Sequence, residues 1–115
     1  MERDILYLVW TDSNDNKYKV AELYKEGGKF YFKYILENVK KAESNGFKLL
    51  VSFPNITATY ENLELFPVFS TRLPDRRRPE IQKILDTYDM TEYDEFELLK
   101  RSTGKLPTDN YEFVQ

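Results

Sequence analysis

Three apolar runs before Ile35, separated by two clusters of turn formers, leave the first third of this chain little choice but an antiparallel sheet. Ile5–Trp10 is a continuous run rich in β-branched and aromatic residues, the pattern of a buried strand. Thr11–Asn16 reads TDSNDN, where the side chains of Asp12, Asn14 and Asp15 can bond their own backbone and tolerate tight dihedral angles. Lys17–Tyr24 resumes as a strand with Tyr18 and Val20 on one face. The phase then slips to Ala21 and Leu23, which predicts a bulge. Glu26-Gly27-Gly28 is a second turn, and Lys29–Tyr34 alternates with Phe30, Phe32 and Tyr34 on one side. The expectation is a three-stranded antiparallel meander.

Helical spacing follows. Ile35, Val39 and Ala42 stand at i, i+4 and i+7, and Gly46 sits where a residue just past a helix end belongs. Phe47–Phe53 is apolar again and reads as a fourth strand stopped by Pro54-Asn55, whereas Asn55–Leu65 is ambiguous. From Pro79, Ile81, Ile84, Leu85 and Tyr88 repeat at helical intervals, with Pro79 in the first turn. A further helix is expected from Thr91, where TEYD matches a capping box. It carries Phe96 and Leu99 inward and ends before Gly104. Tyr111–Val114 reads as a last short strand. No repeat, linker or low-complexity tract divides the chain, so residues 1–115 are expected to form one module. Its class is α+β, a mainly antiparallel sheet (the meander plus further strands) with helices packed on one side.

The chain holds neither cysteine nor histidine. Thiol chemistry and Ser-His-Asp or Cys-His constellations are thereby excluded, and zinc sites lose their usual ligands. No enzymatic activity, metal or cofactor is expected. Formal net charge is −3, which argues against general adhesion to nucleic acid or an acidic membrane. Met1 is followed by Glu2, Arg3 and Asp4 and then a short apolar run, too short for a signal core or a membrane span. A cytoplasmic location without membrane association is expected.

Two motif-like stretches have plain explanations. Asp12-x-Asn14-x-Asn16 opens like a calcium loop, but Lys17 and Leu23 stand where Gly and Glu are required, so a hairpin turn is the better reading. Thr103-Gly104-Lys105 has the end of a phosphate loop without its earlier glycine, and reads as a helix end followed by a turn. The acidic run Glu92, Asp94, Glu95 and Glu97 suits a solvated helix start, where negative charge complements the dipole.

Leu65–Pro79, LFPVFSTRLPDRRRP, is less easily dismissed. An aromatic passage runs into Arg72, Arg76, Arg77 and Arg78, and Pro67, Pro74 and Pro79 are expected to hold it out of regular helix or strand. Such a stiff loop offers guanidinium forks to a partner's carboxylates or to phosphates. One or two of the arginines could equally pair within the chain. Arg72, next to the apolar passage, is expected to be partly buried and paired with a carboxylate of the C-terminal helix or last strand. Arg76, Arg77 and Arg78 are expected to stay exposed. Nine tyrosines and eight phenylalanines are more than a small interior holds, so some should mark a contact surface. Tyr60 and Phe66 or Phe69 are the candidates.

LFPVFSTRLPDRRRPEIQKIL and EYDEFELLKRSTGKLPTDNYEF resemble the N-terminal module of bacterial proteins that carry a HIRAN domain further along. LYLVWTDSNDNKYKVAELY and GFKLLVSFPNITATY fit the same module, so the resemblance covers nearly the whole chain. A more distant similarity is to the N-terminal subdomain of HipA-type toxin kinases. Phe66, Phe69, Leu73-Pro74, the Ile81–Tyr88 helix, the Asp94–Leu99 segment and Gly104 match its pattern. The resemblance implies that catalysis sits in another part of the protein, and that a free-standing version can act as an antitoxin on a shortened kinase. Neither a HIRAN domain nor a kinase lobe stands before Gln115, so the chain is expected to be either free-standing or a piece of a longer protein. HIRAN-type DNA-end binding does not carry over to it.

Two functions remain open from the sequence. One is a regulatory protein-interaction module in a toxin–antitoxin setting, docking through Tyr60, Phe66, Phe69, Arg72, Arg76, Arg77 and Arg78. The other is weak, local nucleic-acid binding through the arginines, steeply dependent on salt.

Overall fold

The computed structural model describes residues 4–115. Met1, Glu2 and Arg3, on which the N-terminal reading partly rests, lie outside the described residues. The strands are β1 (Asp4–Thr11), β2 (Lys17–Glu26), β3 (Lys29–Tyr34), β4 (Thr59–Asn62) and β5 (Tyr111–Val114). The helices are α1 (Leu36–Glu43), α2 (Pro67–Ser70), α3 (Ile81–Thr87) and α4 (Glu95–Ser102). Among the described residues the strands form one sheet in the order β4-β3-β2-β1-β5, with every neighbouring pair antiparallel. The α+β expectation and its meander hold.

The meander's turns follow from their residues. Asp12, though buried, accepts hydrogen bonds from the backbone N–H of Asn14 (2.8 Å) and Asn16 (2.9 Å) and from the Tyr18 hydroxyl (3.0 Å), which closes β1 onto β2. Gly27 and Gly28 have φ of 58° and 78°, which a two-residue hairpin turn between twisted strands demands. The bulge is present. Leu8 pairs with Ala21 but Val9 pairs with Lys19, so Val20 is the extra residue, and Val20 and Ala21 are both buried.

Period-two alternation puts Phe113, Leu8, Ala21 and Tyr34 in one row across the sheet and Leu6, Leu23, Phe32 and Tyr60 in the next. The helices cover this face. Val39 and Ala42 of α1, Phe69 of α2, Leu85 of α3 and Phe96, Leu98 and Leu99 of α4 join its core. The opposite face carries a Tyr24–Tyr31 stack at 5.0 Å and Lys19 over the Tyr7 ring.

Residues 47–53 are not a strand, contrary to the expectation. Phe47 and Phe53 are buried, but between them the chain turns. The cause lies in Tyr34, whose hydroxyl accepts from the Leu50 N–H (3.0 Å) and donates to the Phe53 carbonyl (2.8 Å). Those two backbone groups are thereby taken from any ladder. The free edge of β3 goes instead to β4, in the segment whose pattern was ambiguous. The prolines do not keep residues 65–79 irregular throughout either. Pro67 opens α2 at its first turn, where a missing N–H costs nothing. Pro79 stands in the turn before α3 rather than inside it. The second C-terminal helix starts later than Thr91. Asp94 is its N-cap, accepting from the Glu97 N–H at 3.0 Å.

Candidate interaction site

Two short elements set the geometry around the arginines. In α2 a single helical turn puts Phe66 and Phe69 on the same side. That side is the core. Phe69 is 1 % exposed and packs on Phe32 (5.6 Å), Phe53 (5.7 Å) and, edge-on, Phe113 (5.0 Å). Phe66 is also buried, edge-on to Phe53 at 5.2 Å. Their expected exposure is therefore corrected: a turn of helix, where a loop was expected, rotates both rings inward. Tyr60 is half-buried, edge-on to Phe53 at 4.9 Å, with its hydroxyl accepting from the Asn55 N–H.

Arg72 leaves the end of α2 with its side chain only 8 % exposed. Its guanidinium donates to the Gly104 carbonyl (2.7 Å), pairs with the Asp109 carboxylate and lies over the Tyr111 ring. Arg72 is buried and paired as expected, but its carboxylate comes from neither the C-terminal helix nor the last strand: Asp109 stands in the loop between α4 and β5. A buried guanidinium needs such partners, because an unpaired one is costly.

Beyond Leu73 the chain forms a tight turn. The Arg78 N–H donates to the Asp75 carbonyl, and the Asp75 carboxylate accepts from the Arg77 N–H (2.8 Å), Nε (3.1 Å) and terminal nitrogen (2.9 Å). These bonds from Arg77 hold the Asp75 carboxyl down at about 2. Arg77 itself is 86 % exposed. Arg78 pairs with Glu80 at 2.7 Å. Arg76 lies over the Tyr93 ring at 4.9 Å, and the Tyr93 hydroxyl donates to the Pro74 carbonyl at 2.7 Å. Among the described residues Arg76 has no carboxylate partner. Ser70, Thr71, Leu73, Arg76, Tyr93 and Glu95 face a cleft of 350 Å³ beside this turn.

The structure thus brings Arg76, Arg77 and Arg78 onto one exposed turn and separates them from Arg72 and Phe69, which are structural, and from Tyr60 on the edge strand β4. Sequence reasoning missed Tyr93, the platform for Arg76, and Asp75, the organiser of the turn. Pro-Asp ahead of the arginines is a turn signal that could have found Asp75.

An antiparallel sheet covered on one face by helices, with an exposed turn of arginines between α2 and α3, makes a small α+β module. The family model described as the HipA N-terminal domain matches residues 9–107, and the chain belongs to that family, a class of module associated with HipA-type toxins. No curated protein and no solved structure matches the chain. Among the described residues no helix is long and apolar enough to cross a membrane.

Proposed function

We propose that this chain is a non-catalytic regulatory module that docks on a protein partner, a HipA-type kinase, through the turn carrying Arg76, Arg77 and Arg78. The observation that supports it is the preorganisation of that turn. Asp75 fixes Arg77 at backbone and side chain, and Tyr93 holds Arg76, so little side-chain freedom is lost on binding. Arg77 and Arg78 already hold carboxylates, which gives the turn a mixed-charge surface. That suits a protein face better than a run of phosphates, and nucleic-acid binding loses ground accordingly. A HIRAN-bearing setting is the second context to which the sequence segments point, and a helicase or nuclease partner would mark it.

Co-expression with a HipA-type kinase encoded beside it, followed by affinity capture, tests the proposal. Capture of the kinase by the wild type, lost in the Arg76→Glu/Arg77→Glu double variant, is the expected result. A kinase that elutes alone overturns it. A gel shift at low salt that the double variant abolishes would establish the nucleic-acid role instead.

A further inference from the structure

The two edges of the sheet are treated differently. At the β5 edge three of the four outward backbone groups of Tyr111 and Phe113 are taken. The Tyr111 N–H donates to the Asp109 carboxylate (3.1 Å), the Phe113 N–H donates to the Thr103 carbonyl (2.8 Å), and the Tyr111 carbonyl faces Arg72. The β4 edge has no such seal. Because Phe113 points its N–H outward, alternation across the antiparallel registers leaves Thr59 and Glu61 as the residues of β4 whose N–H and carbonyl face away from β3. Among the described residues nothing bonds to them.

The surroundings of that edge suit an added strand. Tyr60 and Asn62 share the core-side face, where Phe53, Tyr60, Phe66, Pro67 and Val68 line a cleft of 310 Å³ just beyond β4. Leu63 follows at 72 % exposed, and Val51, next in sequence to the cleft-lining Ser52, is 98 % exposed. Glu61 and Glu64 are exposed and have no cation partner among the described residues. A chain that simply blunted this edge would set lysine or proline there and keep large apolar side chains away. A second copy paired antiparallel on β4 offers Glu61 no cation: centred on Glu61 it sets that carboxylate against its own counterpart, and centred on Tyr60 it sets it opposite Thr59.

We infer that the free edge of β4 receives an extended segment of a partner protein by strand addition. The segment carries a basic residue opposite Glu61, flanked on either side by apolar residues that enter the cleft. Strand geometry dictates that order, since residues opposite Tyr60 and Asn62 point to the core side and the one between them points away. The inference rests on the partner-docking reading above and supplies it with a second surface, away from the arginine turn.

The probe is an eight-residue labelled peptide with Leu-Lys-Leu at its centre between serines, titrated into the full chain and followed by amide chemical shifts. Shifts confined to residues 59–62, Phe66 and Val68, with slowed exchange of the Glu61 amide, are expected. A Leu-Glu-Leu peptide should bind about fivefold more weakly, the difference between an opposite-charge and a like-charge cross-strand pair. Glu61→Pro removes the outward N–H without touching the β3 ladder and should abolish binding with the melting temperature retained. If that variant unfolds, Glu61→Lys decides: it must reverse the preference in favour of Leu-Glu-Leu. Shifts elsewhere, no shifts, or an unreversed preference overturn the inference. So do concentration-dependent shifts at Glu61 without peptide, which would assign the edge to a second copy. The kinase is absent from this titration, so a silent edge leaves the capture result standing, and a failed capture leaves the edge result standing.

Discussion

Arg72 and Asp109, 37 residues apart in sequence, form an ion pair that ties the end of α2 to the loop entering β5. The same guanidinium holds the Gly104 carbonyl, so one side chain fastens α2, the end of α4 and the last strand together. Arg72→Ala strands Asp109 and the carbonyl, and should cost about 2–4 kcal/mol of stability. Arg77→Ala, on an exposed turn, should leave the melt unchanged. Urea unfolding of both variants checks the contrast, and equal small losses would remove Arg72 from its structural role.

Tyr34 supports a segment without regular structure. Tyr34→Phe leaves the Leu50 N–H and the Phe53 carbonyl without their partner, a loss of about 1–3 kcal/mol. Hydrogen exchange should quicken at Leu50 before it does in the sheet. Uniform quickening would mean that residues 47–53 do not open separately.

That segment shows where sequence pattern stopped being informative. The meander and β5 were legible because alternation and turn formers agree there, and the Arg72 anchor because a charge follows directly on an apolar passage. Phe47–Phe53 has a strand's composition, but a tyrosine hydroxyl from β3 takes its backbone groups, a tertiary effect no local pattern carries. Thr59–Asn62 is four residues, polar at all but Tyr60, and becomes a strand only because β3 has an edge to offer. At the candidate site the arginines were visible. Their separation into one buried anchor and three exposed groups depends on Asp109, Asp75 and Tyr93, which lie elsewhere in the chain or in a turn of their own.

Alkaline pH should weaken the fold through Tyr34. Burial pushes its hydroxyl up to about 12 from an ordinary value near 10. Below pH 10 the group is protonated in both states. Between 10 and 12 the unfolded chain releases the proton while the folded one keeps it, so stability falls as pH rises. Thermal melts across this window should show a steeper decline in wild type than in Tyr34→Phe.

Gly104 follows the left-handed Thr103 at the end of α4, with φ of 60°, and a Cβ there would meet Leu99 Cδ1 at 2.5 Å. Gly104→Ala combines the left-handed penalty with displacement of a buried leucine, and should cost about 1–3 kcal/mol. It also disturbs the carbonyl that Arg72 holds. The double variant with Arg72→Ala should therefore lose less than the sum of the single losses, a coupling that a double-mutant cycle in urea measures. Strict additivity would show that the two residues stabilise the junction independently.

Asp12 gives the acid limb of stability. Burial raises its carboxyl, but the bonds from Asn16, Asn14 and Tyr18 outweigh it and hold the group below its ordinary value near 3.8. A depressed folded value means that the contribution is present above the unfolded value. It is lost as pH falls through the folded one, when the proton displaces the turn's donors. Asp12→Asn keeps the shape of the side chain and one acceptor oxygen but sets an N–H₂ group where the second oxygen received Tyr18 and the Asn16 amide. The variant should be less stable at pH 7, and its stability should change less than that of wild type between pH 5 and 2. Parallel acid limbs in the two proteins would show that the turn's carboxylate is not what acid removes.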